Sequence, residues 1–218
     1  EWDAMVGVKQ NTIHHKYDVA EHTLHTLKHV KRDKYLRLTM LFHDMGKPVM
    51  KTTDENGRDH FKGHAIASEQ IAKTVMKRLK FDNDTIRKVT KLVAYHDYRM
   101  EPTGANVRRA MHEIGVELFP YYLAVRLADT KAQSSYERRG KLENIIQIRE
   151  LYRNALRNKE CVTLKDLAVT GTDLINLGIA PGKELGTLLN ELLDMVIEDP
   201  AWNQKGKLCD YVKERFGF

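Results

Sequence analysis

Histidine and aspartate residues that could hold a metal recur along this chain. The sequence contains ten histidines, and several fall beside carboxylates or in helical segments. The set with the most chemical promise is His22, His43 with Asp44, His64, His96 and Asp129. Neutral imidazoles and ionised carboxylates are nitrogen and oxygen donors for divalent transition metals, and helical bundles build such sites from ligands on several packed helices. Any one of these residues alone is more often a hydrogen-bonded polar group, but together they predict a metal site.

The predicted positions of two of these ligand groups support that prediction. His43 and Asp44 are expected in the last turn of a helix ended by Gly46, where the negative end of the helix dipole favours a cation. Asp129 follows the apolar stretch 123–128, where an unpaired buried carboxylate would be costly and a metal-bound one would not.

Helical periodicity dominates the elements that must position these residues. Asp18 and Asp33 are predicted N-caps of helices over 19–30 and up to Phe42, the second of which Gly46 and Pro48 terminate. Further helices are predicted over 64–79, 84–96, 105–114, 117–131, 137–157 and from Pro181 to Pro200. The pair Asn56-Gly57 within 49–61 predicts one short hairpin with a type I′ turn. The expected fold is all-α, a helical bundle with one β-hairpin insertion and a helical tail from about residue 160.

Composition excludes several other classes of protein. With 218 residues, 42% hydrophobic content, 5 prolines and 13 glycines, the chain is neither disordered nor collagen-like. No apolar run reaches about 18 residues and no secretory leader is evident, so we expect a cytoplasmic protein without membrane contact. Cys161 and Cys209 are too few for a disulfide framework or a four-thiolate zinc site.

Charge is unevenly distributed within the net +6. Residues 71–130 carry 11 basic and 7 acidic side chains, residues 131–165 carry 9 and 4, and residues 166–218 carry 5 and 9. A basic middle can attract a polyanion such as RNA, but it is also typical of a solvated helix surface. Charge alone leaves both interpretations open.

The order His22, His43-Asp44, Asp129 resembles the HD superfamily of metal-dependent phosphohydrolases. In that family a His, a His-Asp pair and a later Asp are metal ligands. His64, in Lys62-Gly63-His64, and His96, in Ala94-Tyr95-His96, match the two extra histidines of the dinuclear subgroup. Lys47, in His43-Asp44-Met45-Gly46-Lys47, matches a lysine that faces the substrate phosphate in related proteins.

A closer resemblance extends over about residues 7–215. The segments 7–11 and 15–23 are similar to the start of the HD region of bacterial tRNA nucleotidyltransferases, the CCA-adding enzymes. The segment 169–186 is similar to their C-terminal part. The resemblance implies an HD phosphohydrolase domain over 1–160 and a C-terminal helical tail over 161–218.

The resemblance does not include the family's polymerising head. That head carries a Gly-rich loop and an Asp-x-Asp on a strand, whereas the Asp-x-Asp here, Asp82-Asn83-Asp84, stands where a helix should start. We therefore interpret Asp82-Asn83-Asp84 as a helix cap.

Two functions remain open at this stage. The first is hydrolysis of a phosphate ester or nucleotide by two divalent ions, drawn from Mn, Fe, Co, Ni or Zn, with Asp44 bridging them. His22 and Asp129 would complete the coordination sphere of one ion, and His64 and His96 would complete that of the other. Lys47 would hold phosphoryl oxygens while a metal-activated water attacks phosphorus. The second is a tRNA-binding body, for which the turn 178–183 offers a helix N-terminus to a phosphate. His15 is a candidate supporting residue or RNA contact in either case.

Overall fold

Helices make up nearly all the regular structure of this chain. The computed structural model describes residues 1–217, and its one sheet there has two strands, which confirms the predicted all-α fold. None of the described helices is long and apolar enough to cross a membrane. The α-helices are α1 (Val19–Lys28), α2 (Lys34–Phe42), α3 (Lys47–Met50), α4 (His64–Arg78), α5 (Asn83–Tyr95), α6 (Gly104–Ile114), α7 (Phe119–Ala132), α8 (Arg138–Arg157), α9 (Gly171–Asn176), α10 (Lys183–Glu198) and α11 (Lys205–Phe216). The strands are β1 (Thr52–Thr53) and β2 (Asp59–His60), and 3₁₀ turns lie at Asp3–Met5, Leu164–Asp166 and Pro200–Trp202.

The chain divides into two compact units that are not continuous in sequence. Unit 1 comprises residues 1–99 and 116–146, and unit 2 comprises residues 100–115 and 147–218. Helix α6 therefore belongs to unit 2 although it precedes α7 of unit 1. These units describe packing, and the assignment of family domains to 1–160 and 161–218 stays a prediction.

Side-chain caps fix the first helices of unit 1. The Asp18 carboxylate accepts a hydrogen bond from the Glu21 N–H, and the Asp33 carboxylate accepts from the N–H groups of Tyr35 and Leu36, as predicted. Asp82 caps α5 by accepting from the Thr85 N–H, which confirms that Asp82-Asn83-Asp84 begins a helix. Helices α4 and α5 pack together, α2 packs on α5 and α7, and α1 packs on α2 and α7.

The hairpin is present, but its predicted type I′ turn is wrong. Thr52 pairs with His60 and Thr53 with Asp59, which leaves a five-residue loop over 54–58. Gly57 alone in this loop has a positive φ, whereas a type I′ turn needs two such residues. The Asp54 carboxylate instead accepts from the N–H groups of Asn56 and Arg58, so a side-chain cap within the loop replaces the tight turn.

Asp59 ties the hairpin to an N-terminal segment that runs beside the candidate site. Its buried carboxylate accepts hydrogen bonds from the Asn11 N–H at 2.7 Å and the Thr53 hydroxyl at 2.7 Å, and it pairs with Lys51 at 2.9 Å. The Asp59 N–H donates to the Asn11 carbonyl. Burial would raise the pKa of Asp59, but the Lys51 ammonium and the N–H and hydroxyl donors outweigh burial and lower the pKa to about 2.

This lowered pKa predicts an acid-dependent loss of stability. The ionised Asp59 carboxylate makes its full contribution to the free energy of unfolding above its unfolded-state pKa of about 3.9. That contribution declines as pH falls toward 2. Urea unfolding midpoints should therefore be lower for Asp59→Asn than for wild type at pH 5, and the two should converge near pH 2. Glu55→Gln, at an exposed position of the same hairpin, should follow wild type throughout. A gap between wild type and Asp59→Asn that stays constant with pH would contradict the assignment.

Unit 2 has its own apolar core around α10. Helix α10 packs on α6 and α9. The residues of this core come from the chain beyond residue 160, and they are Cys161, Leu167, Val169, Leu174, Ile179, Leu188, Leu192, Leu193, Val196, Ile197, Leu208 and Val212. Pro181 does not open α10 at its first position, because Gly182, at φ +149°, is the N-cap and the helix begins at Lys183. Phosphate binding by the 178–183 turn stays a prediction.

Candidate metal centre

The turn after α2 carries the two central residues of the site. Helix α2 ends at Phe42 and His43 is its C-cap, so His43 and Asp44 lie just beyond the helix and not in its last turn as predicted. The chain turns within the four residues that separate α2 from α3, which begins at Lys47. Gly46 allows this turn to approach α4 closely, since a Cβ at Gly46 would lie 2.5 Å from the carbonyl oxygen of His64.

All six predicted ligands converge in unit 1. His22 comes from α1, His64 is the first residue of α4, His96 is the C-cap of α5, and Asp129 lies in the last turns of α7. Two triads of potential ligand atoms share Asp44, and the atoms of each triad lie within 4.8 Å of one another. The triads are His22, His43, Asp44 and Asp44, His64, His96.

The Asp44 carboxylate lies at the middle of this cluster. Its Oδ2 is 3.3 Å from His43 Nε2 and 3.6 Å from His22 Nε2. Its Oδ1 is 3.5 Å from His64 Nε2 and 3.6 Å from His96 Nε2. Each carboxylate oxygen therefore faces a different pair of imidazoles, which is the arrangement that a bridging ligand requires.

Backbone carbonyls fix the tautomers of three of these histidines. The Nδ1 atoms of His43, His64 and His96 lie 2.7–2.8 Å from the carbonyl oxygens of Met40, Phe61 and Val93, respectively. A carbonyl accepts only, so each Nδ1 carries a proton, and in the neutral ring each Nε2 then presents a lone pair.

These lone pairs face other acceptors. His64 Nε2 and His96 Nε2 are 3.1 Å apart, and the buried His43 Nε2 has no hydrogen-bond partner among residues 1–217. A cluster of acceptor atoms without protons between them is unfavourable when empty and is satisfied by a cation. The donor set therefore fits divalent metal ions.

The carboxylates of the cluster are held ionised. Burial would raise the pKa of Asp44, but neighbouring His43 and Lys47 hold it well below its usual range. Burial opposes ionisation of Asp129 in the same way, and the contact from His22 Nε2 at 2.9 Å to Asp129 Oδ1 lowers its pKa. Both groups can therefore offer charged oxygen ligands at neutral pH.

Lys47 is buried beside the centre. Its ammonium lies 2.7 Å from Asp44 Oδ2 and donates to Gln10 Oε1 at 2.7 Å. Its Nζ also lies over the ring of Phe61, at 5.4 Å from the centroid. Sequence reasoning identified Lys47 and missed Gln10, because a glutamine 37 residues away carries no periodic or motif signal.

A pocket of about 460 Å³ opens onto these residues. Lys47, Arg58, Lys62 and Arg99 supply positive charge to its lining, in which Asp44, Asp129, His64 and His96 are also present. His15 lines it as well, and burial lowers the pKa of His15 to about 3, so this imidazole is neutral. The pocket thus offers cationic side chains facing a candidate metal centre, a combination suited to a phosphate group.

Comparison with known proteins is consistent with these observations. Residues 64–212 match the family model for tRNA nucleotidyltransferase domain 2. The chain is 29% identical over 205 residues to a CC-adding tRNA nucleotidyltransferase of Thermus thermophilus, an alignment that covers 89% of this chain and 44% of the relative. The chain thus spans less than half the length of that relative. No solved structure matches the chain.

Proposed function

Because this chain belongs to the tRNA nucleotidyltransferase domain 2 family, we propose that its unit 1 is a metal-dependent phosphohydrolase of the HD type. The observation that carries the proposal is the position of Asp44, whose two oxygens face separate imidazole pairs. The facing lone pairs of His64 and His96 add to it, since only a cation or a proton relieves their repulsion.

Each side chain has a distinct part in this proposal. Asp44 is the shared ligand, and His22, His43 and Asp129 complete one side of the centre while His64 and His96 complete the other. Bound divalent ions supply charge neutralisation and a water of lowered pKa to phosphoryl chemistry. Lys47 provides a fixed positive charge next to Asp44, positioned by Gln10, for the phosphoryl oxygens. The donor set of imidazole and carboxylate suits Mn, Fe, Co, Ni or Zn.

Hydrolysis of simple phosphodiesters tests this proposal directly. With Mn²⁺, Co²⁺ or Ni²⁺ supplied, the chain should hydrolyse bis(p-nitrophenyl) phosphate or a 2′,3′-cyclic nucleotide. The activity should depend on Asp44, and it should be lost on chelation and restored by adding the metal.

A second candidate function is tRNA binding. We propose it because the relative that aligns with 89% of this chain is named for action on tRNA and because residues 71–165 are basic. The two functions are compatible, since a phosphohydrolase site and an RNA-binding surface can share one chain.

Salt dependence distinguishes an RNA-binding surface from an ordinary solvated one. If basic side chains over 73–165 contact tRNA phosphates, log K should fall linearly with log salt, with a slope of about −0.7 to −0.9 per contact. Binding should be measured by filter retention of tRNA from 50 to 300 mM KCl. Absence of binding at 50 mM, or binding that salt does not weaken, would identify these side chains as a solvated surface.

A further inference from the structure

His14 lies in the wall of the pocket near cationic side chains. His14 and Arg99 both line the pocket, and Lys141 Nζ lies 3.5 Å from His14 Nδ1. Burial lowers the pKa of His14, and the charges of Lys141, Arg99 and Arg58 lower it further. His14 is therefore neutral, and because its Nδ1 accepts from Lys141, its Nε2 carries the proton and is a donor.

Gln133 connects this wall to the candidate metal centre. Its Nε2 donates to Asp129 Oδ2 at 2.8 Å, and its Oε1 accepts from Lys141 Nζ at 3.0 Å. A carboxylate only accepts and an ammonium only donates, so the orientation of the buried amide is determined. Two hydrogen bonds and one amide group place Lys141 Nζ within roughly 8 Å of the Asp129 carboxylate.

Three cationic side chains here, Arg99, Arg126 and Lys141, have one carboxylate within ion-pair distance among them in the part of the chain that the structure describes. Arg99 and Arg126 share one carboxylate, Asp97, at 3.1 and 3.9 Å. Within residues 1–217, Lys141 forms no ion pair, and its contacts are a glutamine and a neutral histidine. By contrast, Lys47 pairs with Asp44 and Lys51 pairs with Asp59. An ammonium that lies among other cations without a carboxylate partner is unfavourable unless an anion joins it.

We propose that His14, Arg99 and Lys141 bind a second phosphate of the substrate, beside the phosphate at Lys47 and the metal centre. The inference rests on the proposed function for the location of the first phosphate. The favoured substrate is then a nucleotide bearing two phosphates, whether a free bisphosphate or adjacent phosphates of an RNA strand.

Equilibrium binding without metal tests the subsite independently of hydrolysis. Adenosine 3′,5′-bisphosphate and adenosine 3′-monophosphate should be titrated calorimetrically into the full chain in chelator at 50 mM salt. We expect the bisphosphate to bind at least about tenfold more tightly, as one or more charge-assisted hydrogen bonds imply. In Lys141→Met the two affinities should differ by less than about threefold, and Lys141→Arg should recover part of the preference.

Arg139→Met is the matched control. Arg139 lies on the same helix, and its side chain is 93% exposed, so the tenfold preference should persist. No preference in wild type, or a preference unchanged in both Lys141→Met and Arg99→Gln, would overturn the subsite. Absence of hydrolysis with Mn²⁺ would instead count against the proposed function alone.

A third probe distinguishes the sources of the second phosphate. The dinucleotide ApAp should match the bisphosphate if the subsite accepts a phosphodiester of an RNA strand. Tight binding of the bisphosphate alone would restrict the subsite to terminal phosphates.

Discussion

The Asp44→Ala variant is expected to hydrolyse bis(p-nitrophenyl) phosphate at least about a thousandfold more slowly than wild type with saturating Mn²⁺. A loss of that size corresponds to about 4 kcal/mol of transition-state stabilisation, which is within what metal ions supply. The effect should be large because Asp44 faces all four neighbouring histidines, so its removal weakens both halves of the centre at once. Initial rates over a substrate series separate the loss in kcat from any change in KM.

Three controls keep this result interpretable. Asp44→Ala also removes the ion-pair partner of the buried Lys47, so helical circular dichroism and thermal unfolding must show that the variant is folded. Asp44→Asn retains the shape of the side chain without its charge and should lose nearly as much activity. Asp84→Asn, at an exposed position on α5, should retain wild-type rates. Equal rates for wild type and the Asp44 variants would refute the proposed site, whatever metal is bound.

Local sequence signals predicted the scaffold of the site well. Asp18, Asp33 and Asp82 are N-caps as expected, because a cap depends on a carboxylate and on N–H groups two or three residues away. The hairpin turn was predicted wrongly for a related reason. The Asn56-Gly57 pair favours a tight turn, but the Asp54 carboxylate instead accepts hydrogen bonds from N–H groups within the same loop.

Residues that hold segments together through contacts between positions far apart in sequence were not predicted. Gln10 contacts Lys47 across 37 positions, and Gln133 joins Asp129 to Lys141. In unit 2 the buried Arg108 donates to the carbonyl oxygens of Ile197 and Glu198 and pairs with Glu160. An amide or guanidinium with such a role leaves no periodicity in the sequence, since only the folded chain brings its partners together.

The candidate ligands were predicted through their order and resemblance, and geometry adds what spacing could not. Sequence suggested that Asp44 bridges, and the structure places its two oxygens toward separate histidine pairs. The tautomers of His43, His64 and His96 depend on carbonyls three residues earlier in each case, which no motif encodes. Ion binding by these residues stays a prediction until metal is counted.

Counting metal in His64→Ala and His96→Ala distinguishes a dinuclear from a mononuclear centre. If both histidines hold the second ion, each variant should bind about one metal per chain where wild type binds about two. Hydrolysis should fall severely in each, and the double variant should resemble the single ones because the first substitution already empties that half. Inductively coupled plasma mass spectrometry of protein reconstituted with Mn²⁺ or Co²⁺ and desalted gives the ratio.

Thermal stability of the metal-free variants supplies an independent criterion. His64 Nε2 and His96 Nε2 face each other at 3.1 Å with both Nδ1 protons committed to backbone carbonyls. Removing one ring relieves the repulsion between the two lone pairs, so metal-free His64→Ala should lose less stability than the loss of a largely buried imidazole would suggest. Metal should then stabilise wild type more than either variant, because binding to the folded state raises its stability in proportion to the logarithm of metal over Kd. If both variants retain two ions and gain as much stability from metal as wild type, these histidines are packing residues. The centre would then be mononuclear, on His22, His43, Asp44 and Asp129, and phosphate recognition would depend more on Lys47 and the arginines of the pocket.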